Sequence, residues 1–174
     1  FSNCIGLTTE SSKEYFPEHY RTEITGYPTR PELKTWEKQK AREQFNLQSD
    51  LPVLLIFGGS KGARSINRAA KAILPALLQQ AQIIHITGKL DWEEIKTAHS
   101  ELEETQKERY HIFPYLHEEM AAALSSADFV VSRAGASILG EFPVFGLPAI
   151  LVPYPYAWRY QKVNADYLTG KGAA

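Results

Sequence analysis

The chain has 174 residues, of which 44% are hydrophobic and 22% charged, and this composition is ordinary for one globular domain with a well-buried core. A formal net charge of −1 provides no overall positive field, so nucleic acid is not an expected partner, although local basic patches remain possible. The single cysteine, Cys4, excludes an internal disulfide framework. No apolar run approaches the roughly 20 residues of a membrane-spanning helix, and no signal peptide opens the sequence.

The first part of the chain is predicted to contain short extended segments and a linker. The extended segments are expected at residues 3–9 and 23–25. Residues 26–31 have the sequence GYPTRP, in which two prolines disfavour a helix and indicate a linker or a domain edge. A helix is predicted over residues 31–45, since proline suits a first helical turn. The sequence opens on Phe rather than Met and ends in GKGAA, so we expect a fragment of a longer protein.

From residue 51 onward, apolar runs alternate with helical patterns. Strands are predicted at residues 53–57, 82–87, 110–113, 129–132 and 149–152. Helices are predicted at residues 64–79, 91–107, 118–125, 137–145 and 160–168. Alternation at this spacing predicts βαβ units, and hence a Rossmann-like α/β fold with a parallel sheet and helices on both faces. Ligands of such folds bind beyond the carboxyl ends of the strands, so the loops after the strands form the candidate site.

The loop after the first of these strands is rich in glycine, with the sequence GGSKGAR over residues 58–64. Glycine lets the backbone turn tightly and approach a ligand closely, and the free amides that open the next helix can bind an anion. The loop therefore indicates a phosphate site, although it is neither the dinucleotide fingerprint nor the Walker sequence. A turn that only connects strand and helix is the simpler alternative.

A second turn of small residues, RAGAS at residues 133–137, follows the strand predicted at residues 129–132. It adds further free amides, with Ala136 and Ser137 at the start of the next helix. Glu141 lies four residues after Ser137 and so on the same helix face, and helical side chains lean towards the amino terminus. A carboxylate there can accept hydrogen bonds from both hydroxyls of a ribose. The alternative is an ordinary solvent-facing glutamate.

The segment after the last strand combines prolines, aromatic rings and a polar pair. Residues 153–161 have the sequence PYPYAWRYQ, and Gln161 and Asn164 are neighbours if a helix has begun there. Directional hydrogen bonds beside flat apolar rings are typical of sugar recognition. The alternative is an aromatic loop that packs on the domain or on a missing neighbour.

The remaining polar residues indicate a possible base-reading loop but no metal site. Residues 114–117 follow the middle strand and could present a backbone edge to a base. His85 lies inside an apolar strand, where a hydrogen-bonded core histidine is a better interpretation than a catalyst. His117 precedes two glutamates, yet no further His, Cys or Asp supplies metal-ligand spacing, and the loop at Ser60 lacks the nucleophile-elbow pattern.

Several of these segments together resemble the MurG-type glycosyltransferases of family 28. They are TGYPTR at residues 25–30, GGSKGAR at 58–64, SRAGASILGE at 132–141, and GLPAILVPYP with YQKVNA between residues 146 and 165. The resemblance implies the C-terminal half of a two-domain GT-B enzyme. Residues 1–24 would be the tail of the N-terminal acceptor domain and the crossover. Residues 25–174 would be the UDP-sugar (donor) domain, truncated at its C-terminal end.

Members of this family transfer N-acetylglucosamine from UDP-GlcNAc to undecaprenyl-pyrophosphoryl-muramoyl-pentapeptide in peptidoglycan synthesis. By this resemblance the glycine loop contacts the diphosphate, Glu141 holds the ribose hydroxyls, and the backbone at residue 116 or 117 reads uracil. The family commonly has Asn in place of Tyr27, and His or Gln in place of Tyr160, next to the expected sugar contacts. The donor-binding residues that the resemblance implies are Arg30, Gly59, Ser60, Leu116, His117, Ala136, Ser137, Glu141, Tyr160, Gln161 and Asn164.

The resemblance also implies an inverting transfer without a bound metal or other cofactor, in which free amides stabilise the UDP leaving group. The catalytic base is expected in the N-terminal domain, so none is assigned to this chain. The implied partners are the UDP-GlcNAc donor and, through the other half, a lipid-linked acceptor and the cytoplasmic face of the bacterial cell membrane, which it would contact peripherally. Two other hypotheses stay open. One is a different GT-B transferase or a UDP-GlcNAc epimerase relative, and the other is a non-catalytic nucleotide-binding module.

Overall fold

The structure, a computed structural model, describes residues 3–59, 62–156 and 160–174, apart from the side chain of Lys34. Near the start of the chain, β1 (Ile5–Leu7) and β2 (Thr22–Ile24) pair in parallel, and a 3-10 helix, Glu10–Tyr15, lies between them. Both extended segments predicted there are confirmed, each shifted or shortened by a few residues.

The described residues from 53 onward form a parallel sheet with the strand order β5-β4-β3-β6-β7. Its strands are β3 (Val53–Phe57), β4 (Gln82–Ile86), β5 (Tyr110–Phe113), β6 (Phe129–Ser132) and β7 (Ala149–Leu151). The helices are α1 (Lys38–Gln44), α2 (Arg64–Ala72), α3 (Leu74–Gln80), α4 (Trp92–Ser100), α5 (Glu104–Lys107), α6 (Met120–Ser126), α7 (Ile138–Phe145) and α8 (Tyr160–Gly170). The predicted α/β fold with a parallel sheet is confirmed.

Helices cover both faces of this sheet because successive residues of each strand point to opposite sides. Leu55 and Ile84 face one side, where they pack against α1, α6, α7 and α8. Ile56 and Ile83 face the other side, against α2, α3 and α4. Each such aliphatic side chain contributes about 1.5–3 kcal/mol on full burial, so the two half-cores fix which face each helix covers.

Two long helices that the sequence predicts are in fact broken. The helix expected over residues 64–79 ends at Ala72 and restarts at Leu74, because Pro75 has no N–H to continue the hydrogen-bond ladder. The helix expected over residues 91–107 stops at Ser100, and α5 begins separately. Its start is marked by the Gln106 side chain, which accepts a hydrogen bond from the Glu103 N–H at 3.3 Å.

The helix predicted over residues 31–45 is also wrong in its continuity. A 3-10 helix covers Pro31–Thr35, and α1 begins only at Lys38. Between them Trp36 is extended, with φ −89° and ψ 122°. Its ring packs against the core, and its carbonyl accepts a hydrogen bond from Ser125 Oγ at 3.1 Å. A tertiary contact therefore overrides the local helical tendency at this position.

Candidate functional site

The chain changes its direction of winding at β3, which creates a crevice. β4 and β5 lie on one side of β3, and β6 and β7 lie on the other. β3 and β6 are neighbours that end at the same level, since Phe57 pairs with Ser132. The loops that follow them leave adjacent strand ends towards opposite sides, which is where doubly wound sheets bind ligands. The glycine loop (residues 58–64) and the small-residue loop (residues 133–137) therefore share one crevice.

Glycine is required at particular positions of the glycine loop. Gly59 and Gly62 have φ of +87° and +74°, and the Gly62 N–H donates to the Gly59 carbonyl at 2.9 Å. A Cβ on Gly62 would collide with the Thr87 carbonyl oxygen, and one on Gly58 would collide with the Ala63 nitrogen. The loop is thus pressed against its own helix start and against the end of β4. Ser60, the predicted diphosphate contact, lies outside the described residues.

A buried polar network holds together the elements that flank this loop, namely α2 and the segment after β4. Asn67, on α2, donates through Nδ2 to the Thr87 carbonyl and to Asp91, each at 2.8 Å. Asp91 also accepts from Arg64 Nε at 2.8 Å. Burial alone would raise the pKa of Asp91, but the hydrogen bonds from Arg64 and Asn67 outweigh it and hold the pKa below its usual value. This network was not predicted from the sequence. The available signal was Asn67, a polar residue on the buried face of an amphipathic helix.

His85 completes the network and is the core histidine that the sequence predicts, which confirms that interpretation. It is fully buried, with Nε2 3.0 Å from Asn67 Oδ1 and Nδ1 2.7 Å from the Tyr110 hydroxyl. Asn67 Nδ2 already donates to two oxygens, so Oδ1 is the acceptor for His85 and Nε2 must carry the hydrogen. The Tyr110 hydroxyl then donates to Nδ1. The imidazole is neutral, and burial lowers its pKa to about 4.

We expect the free energy of unfolding to fall as pH decreases from about 6.5 to about 4. In this window the unfolded chain protonates His85 and the native state does not, so acid favours unfolding. The shift from 6.5 to about 4 corresponds to a loss of about 3 kcal/mol. Urea denaturation at several pH values tests this.

His111 makes the matched comparison for this titration. Burial lowers its pKa as well, and its Nε2 is buried without a hydrogen-bond partner among the described residues. Replacing His85 with Gln should remove most of the pH dependence, whereas His111→Gln should remove less. The assignment of the pH dependence to His85 would be contradicted if the free energy of unfolding of His85→Gln fell with decreasing pH as steeply as that of the unsubstituted chain.

The small-residue loop presents unpaired N–H groups to the crevice. The N–H groups of Gly135, Ala136 and Ser137 have no hydrogen-bond acceptor among the described residues, whereas their carbonyls accept from the first turn of α7. Ser137 precedes the first residue of α7, and Ala136 is exposed. Free N–H groups at a helix start are predicted from the sequence at this loop, and anion binding by them stays a prediction.

Glu141 lies on the first turn of α7. It is half-buried, and its carboxylate makes no hydrogen bond or ion pair with any described residue. The residue before it, Gly140, provides space for the linker, since a Cβ there would lie 2.6 Å from Thr29 Cγ2 and 3.0 Å from the Tyr27 carbonyl. The linker is thereby seated against α7. Arg30, further along this linker, is exposed, and its guanidinium makes no hydrogen bond or ion pair with the other candidate residues that the structure describes.

Gln161 and Asn164 each use one of their two polar side-chain atoms to hold a loop. Gln161 Oε1 accepts from the Tyr154 N–H at 2.8 Å, and Asn164 Nδ2 donates to the Ala134 carbonyl at 3.0 Å. The amide group of Gln161 and the oxygen of Asn164 remain available to a ligand. Tyr160, on the same helix, is 72% exposed.

A cavity of about 350 Å³ joins this region to the start of the chain. Ala136 and Asn164 line it together with residues that carry hydroxyl and carboxylate groups, including Thr9, Ser12 and Glu14. The cavity therefore offers polar groups from two parts of the chain that are distant in sequence.

The two residues predicted to contact the base, in the loop after β5, differ in whether their backbone N–H is already hydrogen-bonded. The Leu116 side chain is buried in the core, while its N–H and carbonyl have no partner within the described residues. His117 is exposed, and its N–H already donates to Glu119 Oε2 at 3.2 Å. Leu116 thus has the free backbone edge.

Two further properties bear on the chemistry of the described residues. They contain no group of three or more His, Cys, Asp or Glu side chains that could hold a metal ion. No helix in the same ranges combines the length and the apolar character needed to cross a membrane.

Comparison with known sequences identifies a family. The sequence model described as "Glycosyltransferase family 28 C-terminal domain" matches residues 53–174. A UDP-N-acetylglucosamine--N-acetylmuramyl-(pentapeptide) pyrophosphoryl-undecaprenol N-acetylglucosamine transferase of Roseiflexus sp. (strain RS-1) is 48% identical over 191 residues, covering 98% of this chain and 43% of the relative. The protein of the same name from Desulforamulus reducens is 42% identical over 182 residues, covering 100% and 48%. The chain spans less than half the length of these relatives.

Solved structures agree with the sequence comparison. MurG of Acinetobacter baumannii has a TM-score of 0.69 and 29% identity, with 99% of this chain and 46% of that chain covered. UDP-GlcNAc 2-epimerase from Neisseria meningitidis has a TM-score of 0.52 at 13% identity, covering 78% and 39%, and this likeness concerns the fold alone. The suspected family is thus confirmed, and the chain belongs to glycosyltransferase family 28, whose C-terminal, GT-B-type domain it contains.

Proposed function

We propose that this chain is the donor-binding part of an enzyme that transfers N-acetylglucosamine from UDP-GlcNAc to a lipid-linked muramoyl-pentapeptide in peptidoglycan synthesis. The observation that carries the proposal is the convergence of two loops of small residues at one crevice, next to a half-buried carboxylate without a protein partner among the described residues. The names of relatives up to 48% identical support the choice of donor and acceptor. Residues 25–174 form the donor domain in this proposal, and residues 1–24 belong to the acceptor domain and the crossover.

In the proposed binding mode the diphosphate lies between the glycine loop and the small-residue loop. The N–H groups of Gly135, Ala136 and Ser137 have no other acceptor in the described part of the chain, so they are available to phosphate oxygens. The ribose lies towards Glu141, whose carboxylate accepts from two hydroxyls. The uracil lies at the free backbone edge of Leu116, which we prefer to His117 because the His117 N–H is already used.

The sugar lies towards α8 and the linker. Gln161 retains an amide donor and Asn164 an acceptor, a pair that suits the hydroxyl and acetamido groups of the sugar. Tyr160 and Arg30 are both exposed, and the proposal assigns both to the sugar. Ser60 is assigned to the diphosphate by its place in the glycine loop.

The chain contributes binding and leaving-group stabilisation to the reaction. An acceptor hydroxyl attacks the anomeric carbon with inversion, and negative charge develops on the departing UDP. Positively polarised helix starts and loop amides stabilise that charge without a metal ion. The base that removes the acceptor proton belongs to the other domain, which also contacts the cytoplasmic face of the membrane peripherally. The chain alone is therefore expected to bind the donor weakly and to catalyse no sugar transfer.

Calorimetric titration with UDP-GlcNAc, UDP-GalNAc and GDP-mannose tests the proposal. We expect binding of the uridine nucleotides, with UDP-GlcNAc preferred, and no binding of GDP-mannose, because the proposal assigns a pyrimidine to the space beside Leu116 and guanine is a larger purine. Absence of uridine-nucleotide binding by the folded chain would refute the donor role. Equal affinity for the guanine nucleotide would instead favour a general nucleotide-binding module.

A further inference from the structure

Arg133, the first residue of the small-residue loop, connects that loop to the start of α2 and to the segment after β7. Its Nη2 donates to Ser65 Oγ at 2.9 Å, in the first turn of α2 after the glycine loop. Its Nη1 donates to the carbonyls of Val152 and Pro153, at 3.1 and 3.3 Å, immediately after β7. The guanidinium carbon also lies 5.3 Å from the centre of the Tyr154 ring. One side chain thus links the start of α2 to the ends of β6 and β7.

The charge of Arg133 is not neutralised by the described part of the protein. All of its hydrogen-bond acceptors are neutral, and no carboxylate among the described residues lies within ion-pair distance. Arg64 and Arg42 differ in this respect, since Asp91 and Asp128 accept from them at 2.8 and 2.6 Å. Arg133 is nevertheless half-buried, so its charge is less screened by water than that of a fully exposed arginine.

We infer that Arg133 is a positioning residue for donor binding, which fixes the crevice loops and whose unneutralised charge is balanced by the nucleoside diphosphate. This inference rests on the proposed function and adds to it a residue and a source of affinity. Protein acceptors use three of the five guanidinium N–H groups, and the charge acts on the diphosphate across the start of α2. Planar donors in a fixed fork satisfy Ser65 and Val152 together, which a lysine ammonium on one stem cannot reproduce.

The two effects of Arg133 can be separated with two substitutions. Arg133→Gln removes the charge and the fork, whereas Arg133→Lys retains only the charge. Lys71→Gln, on the same helix as Ser65 but paired with Glu94 at 3.2 Å, is the charge-matched control. Binding of UDP and of uridine is measured by calorimetry at salt concentrations from about 0.05 to 0.5 M, across which surface interactions become screened.

We expect Arg133→Gln to weaken UDP binding about tenfold, to change uridine binding much less, and to flatten the salt dependence of UDP binding. Arg133→Lys should keep the salt dependence while hydrogen exchange at the Tyr154 amide accelerates, because the loop after β7 loses its hydrogen bonds to Arg133, and of the side chains Arg133 and Gln161 only Gln161 still holds it. Lys71→Gln should leave both affinities within a factor of about two.

Other outcomes would overturn the inference. They are unchanged UDP affinity in Arg133→Gln, an equal loss of UDP and uridine binding, or unchanged exchange at Tyr154 in both variants. If Arg133→Gln does not fold in a thermal unfolding scan, the salt dependence of Arg133→Lys decides, since loss of that dependence contradicts a charge effect. Failure of the unsubstituted chain to bind UDP is a separate result, because it refutes the proposed function itself.

Discussion

Replacing Gly62 with alanine is expected to abolish measurable UDP binding, weakening it more than about 100-fold, and to destabilise the chain by about 3 kcal/mol. Gly62 has φ +74°, which an L-residue adopts at a cost of about 1–2 kcal/mol. A Cβ would also collide with the Thr87 carbonyl oxygen, which Asn67 already holds. The loop must therefore move away from the end of β4, and its amides leave the crevice. Calorimetry and urea denaturation measure the two effects.

Gly172→Ala separates backbone strain from crowding in this experiment. Gly172 has a similar φ of +72°, but no described atom beyond its chain neighbours lies within 4 Å of the position that the new methyl group would occupy. The next residue, Ala173, accepts a hydrogen bond from the N–H of Ala149, at the start of β7 and so at the edge of the sheet opposite the crevice. This control should lose about 1 kcal/mol of stability and keep its UDP affinity. If Gly62→Ala binds UDP normally and is destabilised no more than Gly172→Ala, the glycine loop is not held in place by β4.

Replacing Glu141 with alanine is expected to weaken UDP binding about 100-fold while leaving the free energy of unfolding nearly unchanged. The carboxylate makes no hydrogen bond to any described residue, so its removal breaks no such contact within the fold. Two charge-assisted hydrogen bonds to the ribose would be lost. The specific readout is the preference for UDP over 2′-deoxy-UDP, which the unsubstituted chain should show and Glu141→Ala should lose.

Glu101→Ala is the matched control for the loss of charge. Glu101 is exposed at the end of α4, and helices that follow parallel strands return to the opposite edge of the sheet. Its removal should change neither UDP affinity nor the preference for the 2′-hydroxyl. Unchanged discrimination between UDP and 2′-deoxy-UDP in Glu141→Ala would remove Glu141 from the ribose role.

The strands and the position of the crevice could be predicted from the sequence because their causes are local. A continuous apolar run such as Val53–Phe57 can be buried on both faces, and the glycines after it end the strand. Every strand predicted for the main sheet is present, with bounds that differ by at most one residue. The breaks in the helices were harder to predict from the sequence. Pro75 was a visible signal, but the extended Trp36 depends on Ser125, which is 89 residues away in sequence.

The sequence alone determined the family, the order of strands and helices along the chain, and the loops that carry candidate ligand contacts. Only the tertiary structure decided what each polar side chain already binds. It pairs His85 with Asn67, Asn164 with Ala134 and Arg133 with Ser65, residues that are 18, 30 and 68 positions apart. Such hydrogen bonds have no local signature, because their partners meet only when the hydrophobic faces have packed. The glycine loop is recognisable from seven letters, but what holds it in position comes from β4 and from the buried network beneath it.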